Sequence, residues 1–294
     1  MLTNALGLPK PFVDAVTNGY VPKPNRYSVT RVLGGTCEAV LLRRHHDELG
    51  GDVSDRVWVI LGSAVHKILE ESEETDSQLK ENWVSAKVGD YELSGIFDLY
   101  DAETKTVTDW KTASCWKVRF GDYEDWRRQI LLYCWILRQN GFEADNGEVV
   151  AILKDHSKRD ARFKAGEGYP PHPVHVERWS FSDADFEWAE RYVNEWFAKV
   201  KVQESLDDAQ LEPCSEQQRW HKDDKWAVKK KGRKTAIRVF SDEMDAYQRA
   251  ENENMLAGKT DLFYVEYRRG EDTKCEGYCD AAAWCPLTAG RIQK

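Results

Sequence analysis

The stretch 82-NWVSAKVGDYELSGIFDLYDAETKTVTDWK-111 sets the fold. Its apolar positions recur with a period of two, so NWVSAKV, YELSGIFDLYD and TKTVTDWK read as three consecutive antiparallel strands. The turns between them fall at Gly89-Asp90 and at Asp101 to Thr104. Residues two apart in a strand share a face, so Asp109 and Lys111 project together. Asp98, on the preceding strand, joins them if it pairs with Val107 or with Asp109, whereas a slip of one residue sends it to the far side. Phe97, Leu99 and Trp110 are then expected to cover the opposite face.

Working outward, residues 1–25 hold an amphipathic start and a proline-rich connector, VPKPN, and a helix is expected over about 29–48, ending near Gly50-Gly51. A second helix, 62-GSAVHKILEESEE-74, has an apolar stripe of Ala64, Val65, Ile68 and Leu69. The segment 123-YEDWRRQILLYCWILRQNG-141 is apolar almost all round and reads as a buried helix, capped by Asn140-Gly141. A strand over 148–154, a charged loop with GYPPHP at 168–173, a strand VHVERWSF and an amphipathic helix over 183–203 follow. From Pro213 the chain turns polar and punctuated. The fold class is α/β, a mixed central sheet flanked by helices. It divides into an N-terminal extension (1–27), a core (28–205) and a basic, cysteine-bearing C-terminal region (206–294).

Of the 294 residues, 41% are hydrophobic and 32% charged, which fits a highly charged globular protein. No apolar run approaches membrane-spanning length, and the N-terminal sequence lacks the basic and apolar segments of a secretory signal, so a cytoplasmic protein is expected. The net charge of −9 argues against a uniformly basic nucleic-acid binder but leaves room for a local basic groove. Several of the twelve tryptophans lie in predicted helices and should be core. The stretch 257-AGKTD-261 imitates the end of a phosphate-binding loop, but Glu253 stands where that loop needs glycine.

Two carboxylates side by side repel unless a cation lies between them, and Mg²⁺ or Mn²⁺ suits oxygen ligands. An ammonium beside such an ion positions water and stabilises charge on a phosphate. Asp98, Asp109 and Lys111 alone fit a cross-strand ion pair, worth about 0–1 kcal/mol if exposed, equally well. His66, beside an apolar stripe, is by itself more often a satisfied core residue than a ligand. Gln129 and Tyr133, one helical turn apart on a greasy helix, need polar partners if buried.

Seven cysteines in a reducing compartment do not suggest a disulfide framework. Cys115 and Cys134 read as small core residues. Cys275, Cys279 and Cys285 form a C-x3-C-x5-C trio followed by Pro286, and by spacing alone zinc and a [4Fe–4S] cluster both fit, each with a fourth ligand.

GSAVH, GIFD, DWK and QILLY, in that order, resemble the motifs of the RecB-like branch of the PD-(D/E)XK nuclease superfamily over roughly residues 28–155. The resemblance implies metal ligation by His66, Asp98 and Asp109, helped by the backbone carbonyl of Trp110. It makes Lys111 the residue that orients the nucleophilic water, and it has Gln129 and Tyr133 orient the DNA and the lysine. It also implies a structural [4Fe–4S] cluster of the kind held by CRISPR-associated adaptation nucleases and AddB-type nucleases, although their trios commonly have two residues between the first pair of cysteines where this chain has three. Cys37 stands where those families place the distant ligand. Cys214 matches phage-type relatives, whose C-S-x-x-x-R-W segment precedes a basic stretch and the trio, and it is the preferred fourth ligand. Lys229, Lys230, Lys231, Arg233 and Lys234 would then edge a DNA channel; a solvated loop is the alternative. The expected activity is Mg²⁺- or Mn²⁺-dependent exonuclease action on linear DNA ends in phage recombination, replication or end processing. The alternative is an inactive DNA-binding or assembly protein that keeps the fold.

Overall fold

The two turns of the opening stretch fold as expected, and everything in the first half of the molecule is arranged around the hairpins they create. In the computed structural model, which describes residues 2–17, 21–73 and 75–289, the chain separates into two compact units, Met1–Leu211 and Glu212–Lys294.

The first unit contains helix α1 (Lys10–Thr17), strand β1 (Arg26–Ser28) and helices α2 (Val29–Val32), α3 (Thr36–Arg44) and α4 (Val57–Glu70). Strands β2 (Gln78–Val88), β3 (Tyr91–Asp101) and β4 (Thr106–Ala113) come next, then α5 (Cys115–Phe120) and α6 (Glu124–Gln139). Strand β5 (Asn146–Leu153), helix α7 (Lys158–Phe163), strand β6 (Val174–Ser180) and helix α8 (Asp183–Gln203) complete it. The sheet is mixed: β1 runs parallel to β3, β2, β3 and β4 are antiparallel neighbours, β5 is parallel to β4, and β6 is antiparallel to β5. No described helix is long and apolar enough to cross a membrane.

Helix α6 lies on the sheet with Ile130, Leu131, Leu132, Ile136 and Leu137 fully buried, and α8 packs against it. Two glycines allow this closeness. A Cβ on Gly147 would sit 2.3 Å from Ile130 Cγ2, and one on Gly95 would sit 2.6 Å from the Tyr133 ring. Glu204, just past α8, accepts hydrogen bonds from Tyr27 and Tyr91 at 2.6 Å and pairs with Arg43, closing the core from the opposite end.

Three expectations are corrected. The helix expected over 29–48 is broken at Gly34-Gly35, where Gly35 is the extended residue that starts α3. The helix expected over 62–74 begins earlier, at Val57, and ends at Glu70; residue 74 lies outside the described residues. Its stripe of Ala64, Val65, Ile68 and Leu69 is not core, for no residue of α4 is buried and Ile68 is 69% exposed. The reason is spatial: α6 already covers the sheet, leaving α4 to touch α1, the turn at 53–56 and β4.

The second unit has more regular structure than its polar sequence suggests. Strands β8 (Lys225–Lys230), β9 (Arg238–Phe240) and β10 (Phe263–Arg268) form a sheet in the order β10-β8-β9, and helix α10 (Glu243–Leu256) packs on it. Val228, Ala246, Ala250 and Phe263 make the small core. Before this sheet lie helix α9 (Glu216–Arg219) and strand β7 (His221–Lys222); after it come β11 (Glu271–Asp272), paired with β7, and helix α11 (Thr273–Gly277).

Candidate active site

The β3–β4 ladder pairs Leu99 with Thr108, Tyr100 with Val107 and Asp101 with Thr106. One step further in the same register sets Asp98 opposite Asp109, one of the two arrangements that bring both acids to one face. Regular pairing stops there, and the Trp110 backbone N–H instead donates to Asp98 Oδ2 at 2.6 Å. The expected opposite-face set needs correction. Burial in β3 follows odd positions through Tyr91, Leu93 and Phe97, then shifts to Asp98 and Tyr100, so Phe97 and Asp98 are both buried. Leu99 and Trp110 are half-buried rather than core. At this phase change the facing residue of β2, Glu81, has φ +48°, a left-handed backbone that interrupts the ladder between Lys80↔Leu99 and Asn82↔Phe97.

Asp98 and Asp109 are 6% and 4% exposed, deep enough that each lone pair needs a partner. Gln129, on α6, donates its amide to Asp109 Oδ1 at 2.9 Å and accepts from Lys111 Nζ at 3.0 Å. Lys111 Nζ also lies 2.7 Å from Asp109 Oδ2, but it is not aligned for a hydrogen bond, which leaves that buried oxygen without one. Burial pushes the Asp109 carboxyl up to about 6 against the pull of Lys111, with Asp98 adding to the rise. Tyr133, one turn along α6 from Gln129, is buried beside both acids, and burial first and their charge next raise its phenol above the usual range. Gln129 thus has two polar partners here, Asp109 and Lys111.

His66 reaches the acids from α4. Its Nδ1 lies 3.1 Å from Asp98 Oδ1 and 3.5 Å from Glu81 Oε1. The hydrogen bond to Asp98 raises the imidazole to about 9 although burial opposes the charge, so the ring binds a proton at neutral pH and must release it to serve as a ligand. One ligand atom each from His66, Glu81 and Asp98 falls within 4.8 Å of the others, the spacing of a cation site. A shallow cavity of about 430 Å³, lined by Gly62, Ser63, His66, Lys67, Glu70 and Glu81, opens this trio to solvent. Glu81 was missed from the sequence because the strand was read as starting at Asn82. Counting back across the Gly89-Asp90 turn, where Val88 faces Tyr91, would have placed it opposite Asp98.

The donor set suits a hard divalent cation. It offers carboxylate oxygens and one imidazole, with the buried Asp109 Oδ2 lacking an aligned donor.

In the second unit Cys214, Cys275 and Cys285 lie near one another. Arg219, ending α9, donates to the Cys214 carbonyl at 2.9 Å and pairs with Asp272, which also bonds His221 at 2.7 Å and leads into the helix of Cys275. Burial pushes the Cys275 thiol up to about 11, and negative charge on Asp272, Cys285 and Cys214 adds to the rise. Cys214 therefore lies in the neighbourhood of two of the trio. Cys37 sits in α3, 1% exposed, within the first unit. Cys115 and Cys134 are core residues as expected.

The basic stretch is the β8–β9 hairpin. Lys229 pairs with Glu266 at 2.8 Å and Lys231 with Asp261 at 2.5 Å, while Lys230 and Lys234 are exposed and Arg233 donates to Thr235 Oγ1 at 3.0 Å.

Among solved structures, the chain is similar to that of SSO0001 (16% identity, 64% of this chain and 83% of that one, TM-score 0.46). It is also similar to LHK-Exo in complex with dAMP (10% identity, 66% and 93%, TM-score 0.32). A third likeness is to a phage related exonuclease from Haemophilus somnus 129PT (11% identity, 57% and 95%, TM-score 0.27). Among curated proteins none matches. The family described as the PD-(D/E)XK nuclease superfamily matches residues 44–286, a segment that takes in His66, Glu81, Asp98, Asp109, Lys111, Gln129 and the cysteine trio. With well over half of its length matched, the chain belongs to the PD-(D/E)XK nuclease superfamily.

Proposed function

We propose that the protein is a Mg²⁺- or Mn²⁺-dependent deoxyribonuclease that hydrolyses phosphodiester bonds from the ends of linear DNA, in phage recombination, replication or end processing. The observation that carries the reading is the trio of His66, Glu81 and Asp98, within 4.8 Å of one another, with the Asp109–Lys111 pair on the neighbouring strand β4. An ion pair serving only stability would not gather three carboxylates, since each adds desolvation cost and repulsion.

His66, Glu81, Asp98 and Asp109 would hold the cation, with the Trp110 carbonyl beside them. When bound, such an ion supplies Lewis acidity toward phosphate oxygens and lowers the pKa of water. The Lys111 ammonium orients the attacking water and balances negative charge that grows on the phosphate. Gln129 holds both Lys111 and Asp109 in place, and with Tyr133 it would orient the DNA and the lysine. In the second unit, Cys214, Cys275, Cys279 and Cys285 would hold a structural [4Fe–4S] cluster, with zinc as the alternative. Four cysteines within one unit offer the thiolate ligands that either centre takes.

Protein purified anaerobically and given end-labelled linear and closed circular DNA with Mg²⁺ or Mn²⁺ tests the proposal. Degradation of the linear substrate alone, abolished in Asp109→Ala, is the expected result. No cleavage of either substrate by the metal-loaded protein would instead favour a binding or assembly role.

A further inference from the structure

Just beyond β4 the chain shows aromatic surface that no core explains. Trp116 and Phe120 of α5 stack on each other with centroids 5.7 Å apart, yet they are 55% and 76% exposed. The Arg119 guanidinium lies 5.0 Å above the Trp116 ring, its other edge 3.6 Å from Glu167. At the start of α4, Trp58 is 59% exposed, with the Lys154 ammonium 3.8 Å from its ring.

These groups are neighbours. The Lys154 backbone N–H donates to the Ala113 carbonyl at 2.9 Å, joining the end of β5 to the residue before the cap of α5. That cap is firm: Ser114 Oγ accepts from the Trp116 N–H at 3.1 Å, and the Cys115 N–H donates to Asp155 at 2.7 Å. Both ends of the surface continue along the chain into active-site elements. Trp116 follows Lys111 by five residues, and Trp58 precedes His66 on one helix by eight, about 12 Å along its axis.

We propose that Trp58, Trp116 and Phe120, with Lys154 and Arg119, form a stacking ledge for unpaired bases of a single DNA strand that leads to the catalytic acids. This deepens the nuclease reading and rests on it. Flat, exposed rings take any base on their faces, and the interleaved cations match a phosphate backbone. A protein partner burying the same rings would have to desolvate the Lys154 ammonium, whereas a nucleic-acid strand neutralises it. The substrate implied is a single-stranded or tailed end rather than a blunt duplex.

The test uses the full chain in EDTA, so that binding is read without cleavage, by anisotropy of labelled single strands, tailed duplexes and blunt duplexes. W116A/F120A and W58A are expected to weaken single-strand and tail binding about tenfold or more each, with blunt-duplex affinity nearly unchanged. The aromatic replacement W116F/F120Y should retain binding. A strand with abasic sites near its end should lose the same factor on the wild-type protein and nothing further on W116A/F120A. Wild-type affinity that ignores base removal overturns the ledge, and so does equal loss on blunt and tailed DNA. Self-association abolished by W116A/F120A with DNA binding intact overturns it as well. Should the double variant fail to fold, W58A and the abasic strand decide alone. Metal-dependent cleavage with no ledge effect leaves the nuclease reading standing. Tail binding through the ledge without cleavage under any divalent metal does the reverse.

Discussion

Gln129 donates its side-chain amide to Asp109 across 2.9 Å, and this single bond fixes which way the glutamine faces. Its oxygen must then point at Lys111, which it accepts at 3.0 Å. Replacing it with leucine keeps the bulk but removes both bonds. Q129L is expected to lower kcat about 10–100-fold and to cost about 1–3 kcal/mol of stability by stranding a buried carboxylate oxygen, measured by single-turnover cleavage beside calorimetry. An unchanged kcat would show that Lys111 and Asp109 hold each other without help.

On the proposed function, Asp109 and the divalent cation should fail together. Chelation by EDTA should abolish cleavage, and excess Mg²⁺ or Mn²⁺ should restore it. D109N keeps the shape but loses the charge, and it should cost about 10³-fold or more in rate, the several kcal/mol expected of the missing Lewis-acid contact. Isothermal titration of the metal against D109N gives a second readout, with weaker binding expected.

Gly147 lies under Ile130 so closely that a Cβ there would come within 2.3 Å of a methyl group and 2.9 Å of the Phe181 ring. Neither neighbour is the end of a flexible chain, so G147A should overpack the α6–sheet contact and cost about 1–3 kcal/mol. Urea unfolding measures it, and an unaltered midpoint would mean that α6 lifts without cost.

His45 bridges Asp208 and Glu48 at 2.6 Å each. Burial disfavours its charge, but the hydrogen bonds to Asp208 and Glu48 outweigh it and raise the imidazole above its usual value. A raised folded pKa means stability that is complete below about pH 6.5 and fades as pH rises through the folded value. H45Q should therefore destabilise by about 1 kcal/mol at pH 6 and by less at pH 9. Denaturant midpoints at the two pH values check the sign.

Cys214 shares a unit with the trio, and its charge bears on Cys275. C214S should lose most bound iron or zinc and leave residues 212–289 prone to proteolysis, whereas C37S should keep the metal. Metal analysis of anaerobic preparations distinguishes them; loss in C37S alone would assign the fourth ligand to the first unit.

How much of this was legible depended on periodicity. Asp98, Asp109 and Lys111 could be placed because a two-residue repeat fixes faces, and their register held. Gln129 and Tyr133 stood out because a helix greasy on every side exposes any polar residue as an exception. Glu81 escaped because the alternating run becomes readable only from Asn82, although the register carries on through it to Asp98. The second unit escaped for a different reason. Its strands are short, and α10 buries only Ala246 and Ala250, so a polar sequence conceals a small core. The stripe on α4 misled because amphipathic spacing shows that a face is apolar, not that anything covers it.

That uncovered helix has a consequence. α4 buries none of its fourteen residues, yet it carries His66, while the acids opposite are set in the sheet under α6. Its amides should exchange hydrogen far faster than those of α6, and they should slow when a cation and a DNA end occupy the gap between imidazole and carboxylates. The imidazole already touches the Asp98 carboxylate in the resting chain, so the stability of this surface helix sets how often that contact opens.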